Sequence, residues 1–183
     1  MGRSFTAFAA GAALSFAASR LMPPLAGRAI GMARVAAGGD PFEALAHDHK
    51  LVLGMMDGML RSGRQSHMRR TAGLLQIKRS LTAHALAEED IVYPMLREEV
   101  GAVEASERLY REHAEIKIHL FKLEHLRADD PRWHEEMEGL RDLVARHAAD
   151  EENTEFPRLR ERLSRETIMR LSSDVSREKQ FVL

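Results

Sequence analysis

The chain has 183 residues, of which 44% are hydrophobic, and its formal net charge is −1 at pH 7. This length is typical of one domain with a terminal extension, and the balanced charge gives no general attraction to nucleic acid or to a membrane surface. The absence of cysteine excludes disulfides, thiolate zinc sites, iron–sulfur clusters and cysteine nucleophiles, so any metal must be held by nitrogen and oxygen atoms.

Residues 1–39 differ in character from the rest of the chain. They contain four arginines and no acidic residue, and residues 4–19 form an uncharged, alanine-rich run that is short for a membrane-spanning helix. Three hypotheses fit: a hydrophobic helical extension that contacts a membrane or a membrane protein, a cleaved signal peptide, or a poorly ordered extension. If the apolar run spans a membrane, the arginines that follow it favour keeping the domain in the cytoplasm, which is the location we expect, with export as the alternative.

The first two helices are predicted directly after this segment. An Asp-Pro-Phe-Glu sequence that begins at Asp40 combines an N-cap, a proline at the first helical position and a capping glutamate. Apolar residues then recur every three or four positions, which predicts a helix to about Arg61. A second apolar stripe predicts a helix over 66–93, which Pro94 closes because a proline ring is incompatible with a helix interior.

The third and fourth helices are predicted over 103–126 and 131–156 by the same spacing. No segment alternates with period two over a useful length, so no strand is expected. Four helices with short connections predict an all-α fold, an up-down-up-down four-helix bundle, at residues 40–165. Residues 166–183 are predicted to form a C-terminal tail that is helix-prone to about Leu171 and loosely held over its last dozen residues.

Histidine and glutamate recur at matched positions of the two predicted helical hairpins. Each second helix carries a histidine, a glutamate four residues later, a second glutamate, and then an aromatic residue followed by proline. Each first helix carries an acidic residue followed by a histidine, and corresponding residues of the hairpins are 63 or 64 positions apart. Residues four apart share one face of a helix, so six side chains should converge in the bundle. They are His49, His84, Glu88, His113, His147 and Glu151.

Such a cluster is typical of a metal site, because buried carboxylates are unfavourable unless they are paired or bind a metal. Lys117 is the one nearby cation that the helical pattern turns inward, whereas Glu89 and Glu152 lie about 140° from the site histidines and should surround the site or face solvent. Imidazoles and carboxylates suit iron, manganese or zinc. Six ligands fit two metal ions, with bridging carboxylates, an oxo or hydroxo bridge and one position open to a small ligand. The alternative is a structural bundle in which a metal only closes the fold or the pairs only form hydrogen bonds.

The motifs resemble those of hemerythrin-like proteins with the His-His-Glu (HHE) cation-binding domain, over about residues 40–160. The resemblance implies a four-helix bundle with two non-haem iron ions that binds dioxygen, or that senses or handles nitric oxide, peroxide or iron. The sequence departs from oxygen carriers at Lys117, which stands where they have a second histidine one turn after His113. This departure favours peroxide, nitric oxide or iron chemistry, and it makes Tyr110 a further candidate ligand beside its alternative role as a core aromatic residue. An enzyme that decomposes peroxide or oxidises ferrous iron would use the same ligands.

Overall fold

The computed structural model describes residues 39–61, 67–127 and 130–180, which are almost entirely helical and include no strand. Nearly all of the segment 1–39, for which contact with a membrane is one hypothesis, lies outside the described residues. Within the described ranges, no helix combines the length and the apolar character that crossing a membrane requires.

Seven α-helices and two π-helical segments follow one another along the described part of the chain. The helices are α1 (Pro41–Arg61), α2 (His67–Ala87), α3 (Tyr93–Glu99), α4 (Val103–His125), α5 (Arg132–Asp150), α6 (Phe156–Arg162) and α7 (Arg165–Gln180). The first π segment, Glu88–Val92, joins α2 to α3, and the second, Glu151–Glu155, joins α5 to α6. Because α1 packs against α2 and α5, and α4 packs against the same two helices, the predicted four-helix bundle is confirmed.

Local signals define two of the helix boundaries. Asp40 Oδ1 accepts hydrogen bonds from the backbone N–H groups of Phe42 at 2.8 Å and Glu43 at 3.4 Å, so it caps α1 as the sequence predicts. Between α3 and α4, Gly101 adopts a φ of 72°. This left-handed conformation favours glycine, and it lets the chain reverse at the end of the first hairpin.

The prediction that Pro94 closes the second helix is wrong, because the helical backbone continues through it to Glu99. The preceding π segment ends with the N–H of Tyr93 bonded to the carbonyl of Glu88, five residues back. Pro94 then lies in the first turn of α3, where a missing N–H is tolerated. The second π segment and α6 repeat this arrangement around the other aromatic-proline pair.

The prediction of a loosely held tail is also wrong as far as Gln180. This region forms α7, which packs against α1, α2 and the first π segment. Leu171 and Val175 are buried in the apolar core, and the hydroxyl of Ser172 donates to the carbonyl of Gly39 at 2.8 Å. Ile168, Leu171 and Val175 form an apolar stripe on α7 at three- and four-residue spacing, but the stripe is short and lies among charged residues, so it is a weak signal in the sequence.

The apolar core consists of two clusters separated by a polar layer. On α1, for example, Leu45 belongs to one cluster and Val52 to the other, and buried His49 lies between them. The other three predicted site histidines occupy the corresponding level of α2, α4 and α5. The fold therefore places the predicted site side chains together in the middle of the bundle.

Candidate metal centre

The structure brings all six predicted site residues into contact. Five of them offer ligand atoms that lie within 4.8 Å of one another. These are His49, His84, Glu88, His147 and Glu151. The sixth, His113, contacts this group, because its Nε2 lies 3.1 Å from Nε2 of His147 and 3.3 Å from Oε2 of Glu88. Their role as metal ligands stays a prediction.

Each inner carboxylate lies between a histidine of its own hairpin and a histidine of the other hairpin. Glu88 Oε2 is 3.0 Å from Nε2 of His84 and 3.3 Å from Nε2 of His113. Glu151 Oε2 is placed in the same way, 3.4 Å from Nε2 of His147 and 3.3 Å from Nε2 of His49. A carboxylate in this position can bridge two cations that are held by the two pairs of imidazoles.

The inner atoms of the cluster fit a metal ion. All six side chains belong to residues that are at most 3% exposed. Within the described ranges, four inward-facing atoms are buried without a partner in hydrogen-bond geometry, which is unfavourable for polar groups. They are Nε2 of His49, Nε2 of His84, Oε1 of Glu88 and Oε2 of Glu151. A cation that prefers nitrogen and oxygen ligands would satisfy them together.

Each of the four histidines turns its other ring nitrogen toward a carboxylate outside the inner cluster. Metal-bound imidazoles typically have such a partner, which fixes the tautomer and the ring orientation. The Nδ1–oxygen distances are 3.0 Å for His49 with Glu152, 3.5 Å for His84 with Asp48, 2.9 Å for His113 with Glu89 and 2.9 Å for His147 with Glu112. Two of these contacts join residues within a hairpin and two cross between hairpins, as expected for an approximate two-fold repeat.

The buried charges shift the titration of the inner groups. Burial alone would lower the pKa of His84, but the charge of Glu88 and the hydrogen bond with Asp48 outweigh it and raise the pKa to about 9. The pKa of His113 is also raised to about 9, because hydrogen bonds with Glu88 and Glu89 outweigh burial. Burial would raise the pKa of Glu88, yet the two imidazoles hold it well below its usual range. Metal-free protein therefore carries protons on these histidines at neutral pH, and metal binding must displace them.

The cations around the centre bind the outer carboxylates. The helical pattern predicts that Lys117 faces inward, but this prediction is wrong: the side chain is largely exposed, and its Nζ donates to Oε1 of Glu89 at 2.7 Å. Arg108 donates to Glu112 at 3.2 Å, and Lys179 of α7 donates to Asp48. Lysine and arginine thus pair with three of the four outer carboxylates, while the two inner carboxylates face the imidazoles.

The structure brings a different tyrosine to the centre from the one that the sequence suggests. The hydroxyl of Tyr110 donates to the carbonyl of Glu89 at 2.6 Å, and its side chain is partly exposed. Tyr93 is fully buried; its hydroxyl donates to Oε1 of Glu151 at 2.9 Å and lies 3.0 Å from Nε2 of His113. The aromatic-proline pair after the first histidine motif was the available signal, but it was interpreted only as a helix stop.

Replacing Tyr93 with phenylalanine should destabilise the metal-free protein by about 1–3 kcal/mol, because a buried carboxylate oxygen loses its donor. Tyr110→Phe is the matched control, and it should have a smaller effect because water can replace the exposed hydroxyl as the donor to the carbonyl of Glu89. Chemical denaturation of both variants would measure the difference. Equal losses of stability would contradict a special role for the Tyr93 hydroxyl.

A cavity of about 30 Å³ adjoins the histidines. All four site histidines contribute to its wall, and most of the remaining wall is apolar, from residues such as Leu81, Ile116, Leu120 and Val144. Lys117 and Thr82 also line it and are exposed to solvent. Because one water molecule needs about 10–15 Å³, the cavity has room for a small molecule next to the imidazoles.

Comparison with known proteins identifies related sequences over the bundle. The family model of the hemerythrin HHE cation binding domain matches residues 40–159. A DNA nickase of Nostoc sp. is 37% identical over 91 residues, which cover 50% of this chain and 26% of the nickase. An uncharacterised hemerythrin-like protein of Schizosaccharomyces pombe is 29% identical over 104 residues, which cover 56% of this chain and 51% of that protein. The chain thus spans about a quarter and about half of the length of these relatives, and no solved structure matches it significantly.

Proposed function

The chain belongs to the hemerythrin HHE cation-binding family, and from this premise we propose that it is a non-haem di-iron protein that binds dioxygen or a related small ligand. Nitric oxide and peroxide are the related ligands, and sensing, storage or stress handling are the roles that such binding would serve. The observation that carries the proposal is the buried cluster of four imidazoles around two carboxylates. Each carboxylate lies within 3.5 Å of one histidine from each hairpin. We propose as iron ligands His49, His84, Glu88, His113, His147 and Glu151.

The spacing of the imidazole rings supports two metal positions. The ring centroids of His49 and His84 are 4.5 Å apart, and those of His113 and His147 are 4.7 Å apart. Between the pairs, the centroids of His49 and His147 are 6.0 Å apart. His49 and His84 would hold one iron ion and His113 and His147 the other, with Glu88 and Glu151 completing the set of ligands. A bound di-iron centre would supply reversible electron transfer to the small ligand.

The protein's own residues would hold and isolate the metals. The outer carboxylates keep the imidazoles oriented with their Nε2 atoms inward. The apolar wall of the adjoining cavity limits water near the imidazoles, while its volume of about 30 Å³ admits a small molecule. These features favour a ligand of two or three heavy atoms over a larger organic substrate.

Iron loading tests the proposal. Protein reconstituted with ferrous iron in air should bind about two iron ions per chain and show visible absorption that changes on addition of azide. His84→Ala should lose both properties, whereas His134→Ala should retain them, because His134 is exposed and pairs with Glu138 on its own helix. A colourless protein without bound iron would overturn the proposal. Repeated turnover of peroxide or ferrous iron by the loaded protein would instead identify an enzyme that uses the same centre.

A further inference from the structure

The last helix, α7, carries a buried lysine beside the candidate metal centre. Leu171, Val175 and Lys179 are four residues apart and form one buried stripe. Lys179 is only 8% exposed, although lysine is almost never buried unless its charge is paired. It also lies 20 residues beyond the range 40–159 over which the family model matches. Its position is therefore a property of this chain that the family match does not explain.

The charge of Lys179 is paired with Asp48 on α1. Lys179 Nζ donates to Asp48 Oδ2, and the same oxygen lies 3.5 Å from Nδ1 of His84. The other two cations that bind the outer carboxylates, Arg108 and Lys117, both come from α4 within the bundle. Only at Asp48, among the described outer carboxylates, does a helix outside the four-helix bundle supply the cation.

The consequence follows from the burial of Asp48, which is intermediate and leaves its carboxylate a path to solvent. The buried ammonium group of Lys179 binds the oxygen of Asp48 that faces His84, and so it holds the carboxylate against the imidazole. We propose that Lys179 is a positioning residue of the metal centre, which acts through Asp48 on His84. The proposal rests on the proposed function, and it makes α7 part of the centre as well as of the scaffold.

The expected effect is confined to one of the two metals. Lys179→Met should lower the affinity for the iron ion assigned to His49 and His84 by about 10-fold or more, which is typical of losing a group that orients a ligand. The other iron should be unaffected. Transfer of iron from the loaded full-length protein to a chelator would show this as one fast and one unchanged phase. Arg177→Met is the matched control, since Arg177 is exposed on the same helix and pairs with Asp174.

A set of variants separates positioning through Asp48 from a general role in packing. Asp48→Asn should lower the affinity for the same iron ion. The double variant with Lys179→Met should bind this ion no more weakly than Asp48→Asn alone, because both substitutions remove the same contact. Lys179→Arg should restore most of the affinity by returning a cation to Asp48. Circular dichroism of the metal-free variants establishes that they retain their helices.

The outcomes distinguish the two proposals. Wild-type protein that binds no iron would overturn the proposed function and this inference with it. A Lys179→Met variant that retains both irons like the wild type would overturn the inference alone, as would equal loss of both irons or additive losses in the double variant. Should Lys179→Met not fold, Lys179→Gln takes its place, because it also removes the charge that binds Asp48 and must lower the affinity for one iron ion while leaving the other unchanged.

Discussion

Replacing Glu88 with glutamine should lower the affinity of the protein for iron by at least about 100-fold while leaving the bundle folded. Glu88 is fully buried, and its Oε2 lies within 3.3 Å of one histidine from each hairpin, His84 and His113. Glutamine keeps the shape but removes the charge and one of the two ligand oxygens. Losing an outer carboxylate typically lowers metal affinity 10- to 100-fold, so losing a carboxylate shared by both metals should lower it further.

Metal content after dialysis against a weak chelator would measure this effect. Glu151→Gln should behave in the same way, because Glu151 occupies the equivalent position of the second hairpin. Glu115→Gln, on the exposed face of α4, should retain the wild-type content. A Glu88→Gln protein that still holds two iron ions would show that the inner carboxylates do not bind the metals.

The second large effect is a loss of stability of the metal-free protein at alkaline pH. The pKa values of His84 and His113 are raised to about 9 in the folded state, against about 6.5 in the unfolded chain. A raised pKa stabilises the fold fully below pH 6.5, and this contribution disappears as the pH rises through 9. We expect a loss of about 3 kcal/mol in total, less than two independent sites would give, because both histidines interact with Glu88.

Urea denaturation between pH 6 and 9.5 would measure this loss. Iron-loaded protein should not show it, because metal-bound imidazoles are already neutral. Metal-free Glu88→Gln should show a shallower dependence, since the carboxylate that favours the protonated imidazoles is gone. A metal-free stability that stays constant from pH 6.5 to 9 would contradict the charge distribution described for the centre.

The fold could be predicted because its signals are local. Apolar residues at three- and four-residue spacing and the cap at Asp40 each report on neighbouring residues, and the structure confirms the bundle that they predict. The repeat of histidine and glutamate at an offset of 63 or 64 residues also predicted the family, which the matching domain confirms. The structure brings the six predicted site residues together, while their binding of metal awaits the tests above.

The sequence marks Tyr93 through the proline that follows it, but it does not reveal the π segment that turns this side chain toward the centre. In a regular α-helix, Tyr93 would lie nine residues after His84 and point about 180° away from it. The five-residue turn from Glu88 to Val92 takes up one extra residue and rotates the following helix. The phenol therefore reaches the polar layer, and Pro94 starts a helix instead of ending one.

The positions of the cations around the centre were not predicted correctly, for another reason. Lys117 was assigned to the interior from its angle on α4, but a long side chain can reach a nearby carboxylate at the surface, as Lys117 does with Glu89. Lys179 is separated from Asp48 by 131 residues. Its partner is defined by how α7 packs, and helical periodicity contains no information about that packing.

The contacts that cross between hairpins link metal residence time to the motion of the bundle. Glu89 binds His113 and Glu152 binds His49, while each inner carboxylate touches a histidine of the opposite hairpin. Neither hairpin alone retains a complete set of ligands or of the carboxylates that orient them. Parting of the hairpins would take ligands from both metals at once, so the time for which the hairpins stay docked sets an upper limit on the time for which either ion stays bound.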